Sequence, residues 1–153
     1  MRSTIVGCCL PPLCGDDAVM RDMRPIGEPL ATHRIGLGRF HYETTSAPRT
    51  FIVRVVGIDG PMLLKNSLAE AEAFGAAHPE GWVWITDLRR LIWTSPRSFL
   101  YVRRIRKLPG NRGYAVIARQ PFRLLGAIAG RAFGAERFVA TPDQALEFAA
   151  SRL

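Results

Sequence analysis

Serine, aspartate and histidine are the residue types of this chain that could support nucleophilic or acid–base chemistry. The segment 87–99, DLRRLIWTSPRSF, places Asp87 where a β-type run ends and Ser95 directly before Pro96. A nucleophilic serine needs a base, usually histidine, with a third group that orients it. None of the three histidines has a catalytic motif around it; they are His33, His41 and His78. The sequence therefore predicts no catalytic residue and no enzyme.

Asp87 still needs an interpretation, because the carboxyl ends of strands often hold functional groups in α/β proteins. An aspartate without companion groups defines no reaction class. We interpret Asp87 as an ion-pair partner of Arg89 or Arg90, or as an acceptor for loop amides.

Nucleotide and metal motifs are absent from the chain. There is no P-loop, no dinucleotide-binding glycine pattern after a strand and no H-E-x-x-H. The cysteines are Cys8, Cys9 and Cys14, and their spacing suits neither a disulfide framework nor a zinc site. No apolar run approaches the roughly 18 residues of a transmembrane span. We expect no cofactor, no metal and no transmembrane segment, and a reduced, cytoplasmic protein.

Ser95 and Pro96 suit the start of a helix. The serine hydroxyl can accept an orphan backbone amide, and proline in the first turn loses no hydrogen bond. A helix cap is our first interpretation of Ser95. Phosphorylation of Ser95 or Thr94 is the second, because a helix amino terminus is a favourable site for phosphate.

The hydrophobic pattern predicts an α/β domain over residues 37–153 after a flexible tail over 1–36, where several prolines interrupt any sustained period. Trp82 and Trp84 share one side of a strand and are predicted core residues. A capping box, Thr141 to Gln144, opens the last helix. Strands are predicted at 38–44, 50–57, 82–88, 114–118 and 137–141, and helices at 61–77, 96–107, 121–134 and 142–152. This β-β-α-β-α-β-α-β-α order indicates a mixed sheet joined by crossover helices.

Positive charge is concentrated in one part of the chain. The net charge is +8, but residues 89–137 contain twelve Arg or Lys and one acid, Glu136, which makes that segment +11. Such asymmetry favours an anionic partner, either nucleic acid, lipid headgroups or an acidic protein, although a solvated basic surface is the alternative. The candidate anion-binding residues are Arg103, Arg104, Arg106, Lys107 and Arg112.

The element order and the segment 82–105 resemble STAS domains, the type seen in the anti-sigma-factor antagonist stage II sporulation protein AA and grouped with SEC14-like proteins. STAS proteins tend to carry a strand ending in Asp-Leu, a short hydrophobic piece, and then Asp-Ser-Ser-Gly opening a helix. This chain has Asp87-Leu88, then Leu91 to Thr94, then Ser95-Pro96-Arg97-Ser98. Pro96 occupies the position of the usual phospho-acceptor serine, so a switch of that kind is absent or is moved to Thr94, Ser95 or Ser98.

The resemblance implies a mixed sheet with its helices mainly on one face and a non-enzymatic, regulatory protein-interaction module. It places the partner near the start of the second α/β helix, at Trp93, Thr94, Ser95, Arg97 and Arg104. Trp93 is either an exposed anchor of the type enriched in binding hot spots or a core residue under the loop. The SEC14 side of the grouping implies an apolar ligand under helix 121–134. A homodimer is also left open.

Overall fold

The computed structural model describes residues 25–121, 123–124 and 134–153 of the chain, without the side chain of Phe99. Its strands are β1 (Glu28–Ile35), β2 (Gly38–Ser46), β3 (Arg49–Asp59), β4 (Trp82–Thr94), β5 (Asn111–Ile117) and β6 (Arg137–Val139). Its helices are α1 (Pro61–Ala77), α2 (Ser98–Ile105) and α3 (Pro142–Ala150). None of these helices combines the length and the apolar character needed to cross a bilayer.

The six described strands form one sheet in the order β1-β2-β3-β4-β5-β6. The first three strands pair antiparallel, and β3, β4, β5 and β6 pair parallel. The mixed α/β sheet predicted from the sequence is thereby confirmed. Because β3 and β4 are parallel, their carboxyl ends meet at the same edge of the sheet.

The two faces of the sheet carry different cores. On one face, which we call the α1–α2 face, helices α1 and α2 pack on Phe40, Phe51, Val53, Trp82 and Trp84. On the opposite face, α3 packs on a smaller apolar cluster that includes Ile52, Val83, Ile85, Ala115 and Ile117. Alternation along each strand sends successive side chains to opposite faces. Trp82 and Trp84 are fully buried, as predicted.

Local sequence explains where the helices begin. Pro61 opens α1 directly after Gly60, and the buried positions Leu64, Leu68 and Ala71 form a stripe at helical spacing. At the start of α3, Thr141 Oγ1 accepts a hydrogen bond from Gln144 N at 3.4 Å. Gln144 Oε1 in turn accepts from Ala140 N at 3.0 Å, so the predicted capping box is present.

The predicted tail over 1–36 is wrong for residues 28–35, which form β1. This edge strand is mostly exposed, so it lacks the apolar alternation by which strands are predicted. Ile26 N and Gly27 N, just before it, donate to Glu43 Oε2 at 2.7 and 3.0 Å. Residues 1–24 and most of the predicted helix 121–134 lie outside the described residues.

Candidate functional site

The turns that follow β3 and β4 are joined at the carboxyl edge of the sheet. Asp59 and Thr94 are register partners at the ends of these strands. Thr94 Oγ1 donates a hydrogen bond to Asp59 Oδ2 at 2.7 Å. Ser95 N donates to the backbone oxygen of Asp59 at 3.3 Å. The segments that enter α1 and α2 are therefore held to each other by Asp59.

Asp59 is a buried carboxyl group, with 8% of its surface exposed. Burial raises its pKa, and the hydrogen bond from Thr94 opposes that rise. Sequence reasoning did not single out Asp59, since a DGP turn is an ordinary way to start a helix. Its proximity to Thr94 arises from the parallel register, which is not visible in the local sequence.

Ser95 stabilises a turn in front of the helix. The predicted helix start at 96 is wrong by two residues, because α2 begins at Ser98. Ser95 Oγ accepts from Arg97 N at 3.4 Å, and the backbone oxygen of Ser95 accepts from Ser98 N at 2.9 Å. Ser95 thus accepts a backbone amide as predicted, but within the turn and not in the first turn of the helix. Its phosphorylation, like that of Thr94, stays a prediction.

Trp93 is exposed, with 53% of its surface accessible. A core position under the loop is therefore wrong for this residue. The register explains the exposure: Leu91 pairs with Gly57 and Trp93 pairs with Ile58, so Ile92 is an extra residue that breaks the strand's alternation. Ile92 is 77% exposed, and two adjacent large apolar side chains consequently face solvent at the end of β4.

Other exposed apolar side chains lie at this end of the sheet. Leu37 belongs to the β1–β2 turn, beside Gly57 on β3. Met62 lies in the first turn of α1, and Leu100 lies near the start of α2. We call the following set the apolar patch: Leu37, Met62, Ile92, Trp93 and Leu100. An exposed concentration of large apolar side chains is typical of an interaction surface.

Arginines surround the part of the patch that α2 contributes. Arg97, Arg103 and Arg104 are exposed and stand three or four residues from Leu100, so they share its side of the helix. None of the three forms an ion pair with the residues that the structure describes. Aromatic and arginine side chains together are characteristic of binding hot spots.

The predicted anion-binding residues divide into separate groups. Arg103 and Arg104 border the apolar patch, and Lys107 lies beyond the end of α2. Arg106 NH1 is 3.1 Å from Glu136 Oε1, so part of its charge is neutralised. Arg112 lies at the amino end of β5, beside Gly81 and away from Thr94.

Asp87 is fully buried and paired, which confirms the structural interpretation given above. Arg89 Nε and NH2 donate to its two oxygens at 2.9 and 2.8 Å, and Arg89 N donates to Oδ1 at 3.1 Å. Arg54 Nε lies 3.6 Å from Asp87 Oδ2, and Arg54 NH2 lies 3.0 Å from Glu43 Oε1. Sequence reasoning missed Glu43 and Arg54. The signal for Arg54 was an arginine inside the apolar strand TFIVRVVG.

The histidines are distributed over three different contacts. His33 lies on β1, with Nε2 3.1 Å from Glu70 Oε1. His41 Nδ1 is 3.0 Å from Thr32 Oγ1, and His78 Nδ1 is 2.9 Å from the backbone oxygen of Phe74. Among the described residues, no group of three His, Cys, Asp or Glu side chains is arranged to hold a metal ion.

Comparison with known proteins identifies the fold. No family model and no curated protein matches the sequence. An uncharacterised protein of the DUF3478 family with a SpoIIAA-like fold, from Shewanella loihica, aligns at a TM-score of 0.55 and 13% identity, over 78% of this chain and 98% of its own. An anti-sigma factor antagonist from Mycobacterium paratuberculosis aligns at a TM-score of 0.54 and 22% identity, over 73% of this chain and 93% of its own.

These likenesses span nearly the whole length of the two known structures. At such low sequence identity they establish the fold and leave the function to be argued from the site. The chain has a SpoIIAA-like, STAS-type α/β fold, and the resemblance stated from the sequence is confirmed at that level.

Proposed function

We propose that this protein is a non-enzymatic regulatory module of the cytoplasm that binds a protein partner through the apolar patch and its arginine border. The observation that carries the proposal is the exposure of Trp93 at the carboxyl edge of the sheet, four residues before the exposed Arg97. The anti-sigma factor antagonist with a similar fold is named for acting on another protein regulator, which supports the same class of function.

The charges favour an acidic partner. Arg97, Arg103 and Arg104 are exposed on the side of α2 that carries Leu100, and they have no carboxylate partner among the described residues. A partner with carboxylates around an apolar pocket would complement both parts of the surface. Trp93 would then supply most of the binding energy, and the arginines would supply orientation and a faster association.

An anionic polymer fits the same residues less well. Arg106 is paired with Glu136, and Arg112 lies apart from the others at the start of β5. Sequence-independent binding of nucleic acid rests on many phosphate contacts, whereas an exposed tryptophan next to Ile92 favours a protein surface.

The first test is an affinity capture from nuclease-treated lysate of the source cells. Wild type would be compared with Trp93→Ala/Arg97→Glu and with the control Leu30→Ala/Arg137→Glu. The control removes an exposed leucine and reverses an exposed arginine on β1 and β6. Any captured protein would then be purified and titrated against all three variants.

We expect an acidic protein that binds wild type and the control equally. Loss of two hot-spot residues should weaken binding to the patch variant at least about 100-fold, since each such residue is worth about 2 kcal/mol or more. Capture that disappears with nuclease, or equal binding by both double variants, would contradict the proposal. Recovery of only a second copy of this chain would indicate a homodimer instead.

A further inference from the structure

A cavity of about 220 Å³ lies between helix α2 and the α1–α2 face of the sheet. Its walls are mainly apolar, with Val53 and Val55 from β3, Val116 from β5 and Val102 from α2 among the lining residues. Five polar side chains also line it, namely Asp59, Thr86, Thr94, Ser98 and Tyr114. A largely apolar space with a few convergent polar groups is the usual form of a small-molecule site.

One atom on each of two of these side chains is buried without a hydrogen-bond partner. Asp59 Oδ1 and Ser98 Oγ are both inaccessible and unpaired. Asp59 is 8% exposed and Ser98 is 1% exposed. The Ser98 hydroxyl lies near the Asp59 carboxyl but does not form a hydrogen bond of normal geometry with it. Folded proteins rarely leave buried polar atoms unpaired, so these two atoms indicate a group that the cavity receives.

Tyr114 offers a third contact. Trp84 Nε1 donates to Thr86 Oγ1 at 2.8 Å, and Thr86 Oγ1 donates to the Tyr114 hydroxyl at 3.3 Å. The tyrosine oxygen acts as an acceptor in this chain of hydrogen bonds. Its own proton has no acceptor among the described residues and remains available inside the cavity. The polar end of the cavity therefore combines one unpaired carboxylate oxygen with two hydroxyl donors, Ser98 and Tyr114.

We propose that this cavity binds a small, neutral, apolar molecule that ends in a hydroxyl group. The ligand hydroxyl would donate to Asp59 Oδ1 and accept from Ser98 or Tyr114. An ammonium group would match the carboxylate alone, because it has no lone pair for the two hydroxyl donors. A benzene ring fills a cavity of roughly 150 Å³, so the space available here suits a ring with a short side chain, about nine non-hydrogen atoms.

This site is separate from the partner-binding function proposed above. The two residues that carry the partner proposal, Trp93 of the apolar patch and Arg97 of its arginine border, are not among the described residues that line the cavity. Thr94 lies between the two sites: it follows Trp93 on β4, and its hydroxyl donates to Asp59 Oδ2, the oxygen that the ligand would not use. Failure of either proposal would therefore leave the other standing.

The test uses 2-phenylethanol as the probe and ethylbenzene, which differs only in lacking the hydroxyl, as its matched control. Binding to the full chain would be measured by calorimetric titration and by the rise in Tm. Two variants accompany the wild type. Ser98→Ala removes an unpaired buried hydroxyl and should leave the fold intact, and Val102→Phe fills the cavity from α2. Trp93→Ala serves as the control for the partner-binding surface.

We expect wild type and Trp93→Ala to bind 2-phenylethanol with one-to-one stoichiometry. Ethylbenzene should bind about tenfold more weakly, since the hydroxyl makes hydrogen bonds to groups that are otherwise unpaired. Ser98→Ala should reduce that preference, and Val102→Phe should bind neither compound while keeping a cooperative thermal transition. Absence of saturable binding to wild type, equal affinity for the two compounds, or unchanged binding to Val102→Phe would each overturn the proposal.

Discussion

At the scale of single residues, the most demanding feature is a group of charges buried in the sheet. Arg54 is 2% exposed and Asp87 is fully buried, yet they lie on β3 and β4 in the middle of the fold. The arrangement holds because each charge has partners: Asp87 accepts from Arg89, and Arg54 contacts both Asp87 and Glu43. Buried charges of this kind are tolerated when paired and become costly when a partner is removed.

Asp87→Asn should lower the free energy of unfolding by about 3 kcal/mol or more, because the buried Arg54 and the partly buried Arg89 lose their common anion. Denaturant unfolding followed by circular dichroism measures this change. The control is Glu80→Gln, which removes the carboxylate 3.4 Å from Arg49 Nε in a partly exposed pair. That change should cost less than about 1 kcal/mol. Equal losses in the two variants would contradict a special role for the buried group.

The residue scale also shows what sequence could reveal about the site. Trp93, Ser95 and Arg97 became candidates from the sequence because they lie in one short segment that resembles a known family. Asp59 and Leu37 were missed because they reach the same edge through strand pairing, which joins residues far apart in the chain. Non-local neighbours leave no spacing pattern in a single sequence.

At the scale of elements, the end of β3 determines the geometry of the site. Register shifts occur between Arg54 and Val56 and again between Gly57 and Ile58, and β4 continues to Thr94 across both. The predicted strand ended at 88, since alternation of apolar and polar residues breaks at such irregularities. Helix existence was easier to predict than helix ends: α1 matches the prediction over 61–77, whereas α2 is shorter at both ends than 96–107.

Gly57 is required at this point for two reasons. Its φ is +82°, which side-chain-bearing residues rarely adopt, and a Cβ there would lie 2.3 Å from the backbone oxygen of Leu37. Gly57→Ala should therefore lower the free energy of unfolding by about 3 kcal/mol, the sum of backbone strain and a forced shift of the β1–β2 turn.

Gly36→Ala provides the matched control for that measurement. Gly36 also has a positive φ, +58°, but a Cβ there would meet nothing within 4 Å. Only the conformational penalty applies, about 1 kcal/mol. Thermal and denaturant unfolding of both variants would separate strain from collision. If the two variants lose the same free energy of unfolding, a small shift of Leu37 is enough to accommodate the Cβ at position 57.

At the scale of the whole molecule, the positive charge is a long-range property as well as a local one. The chain carries a net charge of +8, and an acidic partner would be attracted before any contact forms. Such steering acts over roughly the Debye length, about 8 Å at physiological salt. The association rate should therefore depend on where a charge is removed as well as on how much charge is removed.

Arg97→Glu and Arg137→Glu change the net charge by the same amount, at the border of the apolar patch and on β6 respectively. We expect Arg97→Glu to slow association with the partner at least about tenfold at low salt, and Arg137→Glu to slow it much less. Stopped-flow association rates over a series of salt concentrations would measure both effects. Equal rates for the two variants would show that total charge, and not the border of the patch, controls the encounter.

The order of the strands across the sheet has a consequence for how the chain acquires its structure. Each described strand from β2 to β6 pairs with the described strand that precedes it in sequence. A growing polypeptide could therefore add each strand to an edge that already exists, without waiting for a distant segment. Synthesis from the amino terminus would release the antiparallel strands first and the parallel strands afterwards, so Asp59 leaves the ribosome before Thr94, its hydrogen-bond partner.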